Sequence, residues 1–294
     1  MLLTRPPLYI IRLTMPNQET MYEVAKRVAT ITLNRPDKLN AWTAVMEQEV
    51  RAAMAGSERD ENVRVIVLTG AGRGFCAGAD ISLLSTVATK GLDAAQRAQA
   101  LQAGAGSGEG DVDGARVDFR KKYSYFPALS KPVIAAINGP AVGLGLVIAL
   151  YCDLRFASDA ARFSTAFARR GLIAEYGMAW MLPRLVGHAN ALDLLFSARL
   201  IDGAEAFRMG LANQVYPQDV FQEKVREYAV ELASNVSPRS LRVIKRQVHE
   251  AMFQTLGEAF DISEREMLAS LRCEDFKEGV AHFVEKRAPV FTGK

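Results

Sequence analysis

The sequence predicts an α/β fold. Three observations carry that expectation. Residues 28–70 read strand–helix–strand, two buried β-branched runs each stop at a glycine-bearing turn, and an apolar helix follows the second of these turns. The 294 residues suffice for one large domain or a domain with an appendage. Hydrophobic residues at 49% and charged residues at 23% are ordinary for a globular protein.

Residues 1–19 read as a loose extension. Arg5, Pro6, Pro7 and Arg12 interrupt any signal-peptide core, and Met15 is an alternative start. Val28, Thr30 and Thr32 then alternate with Ala29, Ile31 and Leu33, a strand signal. "RPDKLNAW" is a turn, with Asn40 as N-cap of a helix that Gly56 ends. "NVRVIVLTG" is a buried strand leading into "GRGFCAGADI", residues 72–81. Residues 82–120 hold much Gly, Ala and Asp and few large apolar side chains, and read as a mobile insertion between helical pieces. "KPVIAAING" is a strand, "GPAVG" a turn, "LGLVIALYC" a buried helix and "LRFAS" a short strand. Helices with stops at Gly187, Gly203 and Gly210 follow. From about Asp219 the pattern is helical, and "FQEKVREYAVELASN" and "PRSLRVIKRQVHEAMFQ" are amphipathic, with Pro238 in a first turn. The chain thus divides into an extension (1–19), an α/β core (20–218) and a helical region (219–294) suited to packing against a neighbouring subunit.

Several function classes drop out. The net charge is +3, and no basic run of the kind that tracks nucleic acid occurs. "FRKKY" (119–123) reads as a solvated helix face or a contact to a phosphorylated ligand. Cys76, Cys152 and Cys273 are far apart and form no CxxC, which argues against a disulfide framework or zinc site and fits a cytoplasmic setting. No apolar run is long enough to span a membrane. His188, His249 and His282 lack metal-ligand spacing, and neither a G-x-S-x-G elbow nor a P-loop is present. "GAGRGF" fails as a dinucleotide fingerprint because Phe75 stands where the third glycine belongs.

Two glycine-bearing turns remain, "CAGADI" and "NGPAVGLGL". A chain entering a helix presents free N–H groups in the positive end of the helix dipole. Two such turns side by side make an oxyanion hole that needs no polar side chain, and small residues let a carbonyl come close. Spacing alone leaves two ordinary tight turns as the alternative.

"ITLNRPDKLNAW", "GRGFCAGADI", "KPVIAAINGPAVGLGLVIALYCDLRFAS" and "GLIAEYGMAWMLPRLVG", in that order, resemble the enoyl-CoA hydratase/isomerase (crotonase) superfamily. "EDFKEGVAHFVEKRAPVF" resembles its usual ending, so the resemblance runs from about Val28 to Phe291. It implies a crotonase-like right-handed spiral of ββα repeats and a C-terminal helical region that builds homotrimers or hexamers. It also implies a coenzyme A thioester as substrate, with no cofactor beyond that coenzyme A. By motif position the oxyanion donors are the N–H groups of Ala79 and Leu144, with Gly143 as the neighbouring alternative. Ala77, Gly78, Asp80 and Ile81 line the thioester and adenine side, Lys38, Leu39 and Ala41 lie near the nucleotide, and Lys286 reaches the phosphates. For Asp80, capping the following helix is the competing role.

Members of the superfamily share enolate stabilisation and differ in their acid/base residues. The resemblance puts Val147 and Phe167 where hydratases carry two glutamates. Glu175, in "GLIAEYG", stands where peroxisomal-type Δ3,Δ2-enoyl-CoA isomerases carry their single catalytic glutamate, and "NGPAVGL" matches their second oxyanion turn. The expected activity is enoyl-CoA isomerisation, with Glu175 moving a proton from C2 to C4 and its apolar neighbours raising its pKa. A surface glutamate in a loop is the bland alternative. Competing activities are a hydratase-like lyase or acyl-CoA hydrolase of the same superfamily and, remotely, a non-enzymatic RNA-binding or scaffold relative.

Overall fold

The computed structural model describes residues 19–91, 93 and 115–294. Most of the expected extension, and most of the expected insertion at 82–120, lie outside the described residues. Strands β1 (Thr20–Ala25) and β2 (Val28–Leu33) form an antiparallel hairpin. Lys26 (φ 50°) and Arg27 (φ 64°) make its two-residue turn, both left-handed as a type I′ turn requires. Helix α1 (Ala44–Arg59) and strand β3 (Val65–Gly70) follow, then α2 (Ile81–Lys90). Next come β4 (Val133–Ile137), β5 (Ala141–Val142), α3 (Leu144–Tyr151), β6 (Leu154–Ser158) and β7 (Arg162–Ser164). Helices α4 (Met178–Val186) and α5 (His188–Ser197) precede β8 (Ile201–Asp202), α6 (Gly203–Arg208) and β9 (Gln214–Tyr216).

The spiral shows in the pairing. β2, β3, β4, β6 and β9 run parallel, in that order, in one six-stranded sheet edged by β1. After β3, β4 and β6 the chain touches a second wall before turning into a helix. That wall is the column Cys76–Ala141–Phe163–Ile201, paired residue to residue. Each ββα repeat therefore delivers one strand end, one short bridge and one helix start to the same level of the molecule. Alternation along the strands gives the large sheet two buried faces. Ile31, Leu68, Ala135 and Ile137 face the main core, whereas Val28, Val67, Ile134, Ala136 and Phe156 pack against α7 (Phe221–Asn235).

Helices α8 (Pro238–Ala251), α9 (Leu256–Ser270) and α10 (Glu274–Glu285) complete the chain, with Pro238 in the first turn of α8 as expected. One buried ionic cluster fastens α8 to the core. The Asp153 carboxylate accepts from Val133 N–H (2.7 Å) and pairs with Lys245 Nζ (2.8 Å) and His249 Nε2 (2.8 Å). Lys245 also donates to the carbonyls of Phe126 and Lys131. Burial pushes the Asp153 carboxyl up, but Lys245 and His249 together outweigh it and hold the group below its ordinary value.

Three local expectations are corrected. Helix α1 is capped by Thr43, whose hydroxyl accepts from Met46 N–H, and not by Asn40. It runs through Gly56 to Arg59, because nothing crowds that position and the helical ladder continues. Gly203 begins α6 instead of ending a helix, with Asp202 as its N-cap.

Candidate active site

The loop after β3 is held by two buried asparagines. Asn40 donates to the carbonyls of Ala71 (3.0 Å) and Gly74 (2.8 Å) and accepts from Arg35 N–H. Asn138 donates to Gly72 O (2.9 Å) and accepts from Gly70 N–H. The loop is clamped from two sides with its main chain already satisfied there.

Beyond the clamp, residues 76–80 run between two partners. On one side Ala77 N–H donates to Leu39 O, Trp42 N–H to Gly78 O and Asp80 N–H to Trp42 O, so Trp42 brackets Ala79. On the other side Phe75 and Cys76 donate to Pro140 O, and Val142 N–H donates to Cys76 O. Alternation leaves the Ala79 N–H without a partner among the described residues. Leu144, first residue of α3, has no carbonyl four residues back within the helix, so its N–H is also free. Gly78 (φ +106°) makes the approach possible. A Cβ there would stand 3.0 Å from Val142 O and 3.9 Å from Leu144 N, so the Ala79 peptide lies beside that of Leu144. Gly143 (φ +53°) aims its own N–H elsewhere, at Ser164 O (2.9 Å). Of the two alternatives for the second donor, Leu144 is therefore the available one.

Glu175 lies in the turn that enters α4, with Tyr176 (φ 49°) and Gly177 (φ +75°) both left-handed after it. Tyr151, at the end of α3, donates its hydroxyl to Tyr176 O (2.7 Å). A Cβ on Gly177 would come 2.4 Å from that hydroxyl oxygen, so the turn and α3 lock together only with glycine here. The Glu175 carboxylate is part-buried, has no hydrogen-bond or ionic partner among the described residues, and is shifted upward by burial alone. A cavity of about 410 Å³ opens beside Tyr176 and Gly177. Among the described residues the nearby carboxylates are engaged: Glu47 with Lys122 (3.0 Å) and Tyr123 (3.2 Å), Asp118 with Arg116 (3.2 Å).

The remaining sequence candidates divide. Leu39, Ala41, Ala77 and Gly78 are brought together by the pairing around Trp42. Lys38 is exposed on the short turn Pro36–Lys38, and Ile81 is 71% exposed at the start of α2. Asp80 accepts from Ser82 N–H (3.0 Å) and hydroxyl (2.8 Å) and from Arg35 (2.8 Å), which anchors the start of α2. Burial pushes its carboxyl up, yet Ser82 and Arg35 hold it below the ordinary value. Lys286 sits exposed at the left-handed end of α10, with no bond to the group around Ala79 and Leu144. Sequence reasoning missed the clamping role of Asn40 and Asn138 and the aromatic residues around the cavity. The positive φ of Asn40 (56°), a residue tolerant of that conformation, is the one local trait that fits its role.

Among the described residues no helix is long and apolar enough to cross a membrane, and no cluster of His, Cys, Asp or Glu could hold a metal ion. The family model for enoyl-CoA hydratase/isomerase matches residues 23–100 and 91–294. The 1,2-epoxyphenylacetyl-CoA isomerase of Escherichia coli is 33% identical over 92% of this chain and 97% of its own length. A probable enoyl-CoA hydratase of Rhizobium meliloti is 35% identical over 94% of this chain and 99% of its own. The crystal structure of an enoyl-CoA hydratase from Bacillus anthracis superposes with a TM-score of 0.81 at 30% identity, covering 94% of this chain and 100% of that one. With two main-chain amides free at the ends of neighbouring ββα repeats, and these likenesses spanning nearly its whole length, the chain belongs to the enoyl-CoA hydratase/isomerase (crotonase) family.

Proposed function

We propose that this family member isomerises enoyl-CoA thioesters, with Glu175 as the only proton carrier. The Ala79 and Leu144 amides hold the thioester oxygen as charge develops on it. Glu175 takes a proton from C2, the electron pair moves into the enolate, and the same carboxyl returns the proton to C4 as the double bond shifts. One observation carries the reading: among the described residues, Glu175 is a part-buried carboxylate without a partner, and its neighbouring carboxylates are engaged. The positions matched to the two hydratase glutamates hold Val147 and Phe167, 0% and 7% exposed, which cannot activate water. The reading calls for no cofactor beyond the coenzyme A of the substrate. Relatives named as probable hydratases keep a hydratase-like lyase as the second reading. Self-association as trimers or paired trimers belongs to the same proposal. Its support is the apolar surface of α9 and α10, where Leu256 (86%), Phe283 (80%) and Val284 (71%) stand exposed.

The test is exchange of the C2 proton of a 3-enoyl-CoA with deuterated solvent, wild type against Glu175→Gln. Exchange should fall roughly 10²–10⁴-fold, the usual share of a positioned acid/base group. Affinity for a saturated acyl-CoA should hold, because the oxyanion donors are main-chain groups. Unchanged exchange in the variant means another base operates and removes the isomerase reading.

A further inference from the structure

We propose that the cavity lined by Tyr176 and Gly177, the two residues that follow Glu175, receives the acyl end of the substrate and selects thioesters whose acyl group ends in a flat aromatic ring. This rests on the acyl-CoA reading above. The walls grow from residues attached to the three catalytic groups. Tyr176 directly follows Glu175. Tyr123 packs edge-on against Trp42 (6.2 Å between centroids), whose backbone brackets Ala79. Tyr151 ends the helix that Leu144 begins. Seven residue steps of helix separate those two, roughly 10 Å, and the tyrosine side chain leans back toward the N-terminus and shortens the gap. A thioester carbonyl, a short linker and a ring fit that span.

The walls are mostly aromatic, with Asp118, Lys121, Lys122 and Ser124 as their polar members. Six rings line the cavity: Phe119, Tyr123, Tyr151, Tyr176, Trp180 and Phe253. The hydroxyls of Tyr123 and Tyr151 are already engaged, by Glu47 and by Tyr176 O. One wall is set before any ligand arrives. Arg184 lies over Trp180 (3.8 Å), Trp180 stacks on Phe253 (5.2 Å, 16° between planes), and Arg116 covers Phe253 (4.3 Å). A wall held from both sides loses little side-chain freedom when it meets a ligand. The volume of about 410 Å³ exceeds the ~150 Å³ that accommodates benzene in an apolar cavity, leaving room for a ring and its linker.

A straight alkyl chain would also fill this space, but it gives up rotamer freedom that a ring does not have. The ring gains edge-to-face contacts, each equivalent to roughly 2- to 10-fold in affinity. Two such contacts give roughly 4- to 100-fold, and with the rotamer freedom an alkyl chain gives up the preference over a chain of equal carbon count is about 10-fold or more. Buried area alone would favour the alkyl chain, so the sign of the preference is diagnostic.

The experiment is calorimetric binding of phenylacetyl-CoA and octanoyl-CoA, both with eight acyl carbons and neither a substrate for double-bond migration. Wild type should bind the phenyl thioester about 10-fold more tightly or better. Trp180→Leu and Phe253→Leu, both at half-buried positions, should shrink that ratio to about 3-fold or less while leaving acetyl-CoA affinity unchanged. Equal or tighter octanoyl binding by wild type overturns the assignment, as does a ratio untouched by both variants. Absence of binding for every thioester removes the acyl-CoA reading and this one together. If the ring preference holds while Glu175→Gln leaves proton exchange intact, the cavity assignment stands and only the isomerase reading is lost.

Discussion

Adding one methyl group at Gly145 should separate the two amides proposed as oxyanion donors. A Cβ there would lie 2.2 Å from Cys76 O, 2.8 Å from Cys76 Cβ and 2.9 Å from Cys76 C. None of these is the end of a flexible side chain. Cys76 is fixed by its N–H to Pro140 O and by Val142 N–H to its carbonyl. The first contact is about 1.2 Å short of ordinary van der Waals distance, so α3 has to move by about that much relative to residues 76–79. Overpacking of this kind costs about 1–3 kcal/mol of stability. Leu144 is the preceding residue, and its amide travels with the helix while Ala79 stays. Misplacing a catalytic group by 1 Å costs roughly 10²-fold in rate. Gly145→Ala should therefore lower kcat/KM for an enoyl-CoA by about 10²-fold and lower the urea midpoint. Gly56→Ala is the control. Nothing lies within 4 Å of its added methyl, it sits inside α1, and it should gain about 0.5–1 kcal/mol with unchanged kinetics. A Gly145→Ala protein that is destabilised but keeps kcat/KM within threefold of wild type would refute the placement of the donors at Ala79 and Leu144.

Three further outcomes are expected. Because burial raises the Glu175 pKa above its ordinary 4.5, kcat/KM should climb with pH through a midpoint above that value as the base ionises, and Glu175→Gln should lack this limb. Asp153→Asn leaves Lys245 buried without its counter-charge and should cost about 3–5 kcal/mol in denaturant titration, with Asp153→Asn/Lys245→Met recovering part of it. The folded-state pKa of Asp153 is depressed, so its contribution is complete above the unfolded value of about 3.9 and disappears as pH falls through the lower folded value. Light scattering should give a trimer or a hexamer, and a stable monomer at micromolar concentration would count against the apolar surface of α9 and α10 as a subunit contact.

The parts of the molecule that were legible in the sequence are those where local chemistry and fold agree. β2, α3, α7 and α8 follow from alternation, an unbroken apolar run and amphipathic spacing, and they lie where expected. The β1–β2 hairpin was not legible, because its turn uses Lys26 and Arg27 where asparagine and glycine are the usual signal for two left-handed residues. Gly56 was misread as a stop because a helix tolerates an uncrowded glycine at modest cost. The Ala79 and Leu144 peptides follow as proposed donors from glycine-bearing turns together with the family resemblance, and the close approach at Gly78 that brings them side by side needs that residue type. The aromatic wall was not legible. Phe119, Trp180 and Phe253 come from segments more than sixty residues apart, and nothing local marks them as neighbours.

The distribution of indole rings has a practical consequence. The chain has two tryptophans, and both are at the site. Trp42 is 4% exposed and brackets the Ala79 peptide, whereas Trp180 is half-buried on the cavity wall between Arg184 and Phe253. Tryptophan emission, excited beyond the absorption of the eight tyrosines, therefore carries no background from distant parts of the fold. A dry indole emits toward the blue, and one flanked by a guanidinium responds to changes in local charge and hydration. Replacing either ring with phenylalanine would leave a single-site optical probe, one beside the amide proposed to hold the thioester oxygen and the other on the wall of the cavity proposed to take the acyl end. Occupancy of the two halves of the site could then be followed separately, in real time and without any attached label.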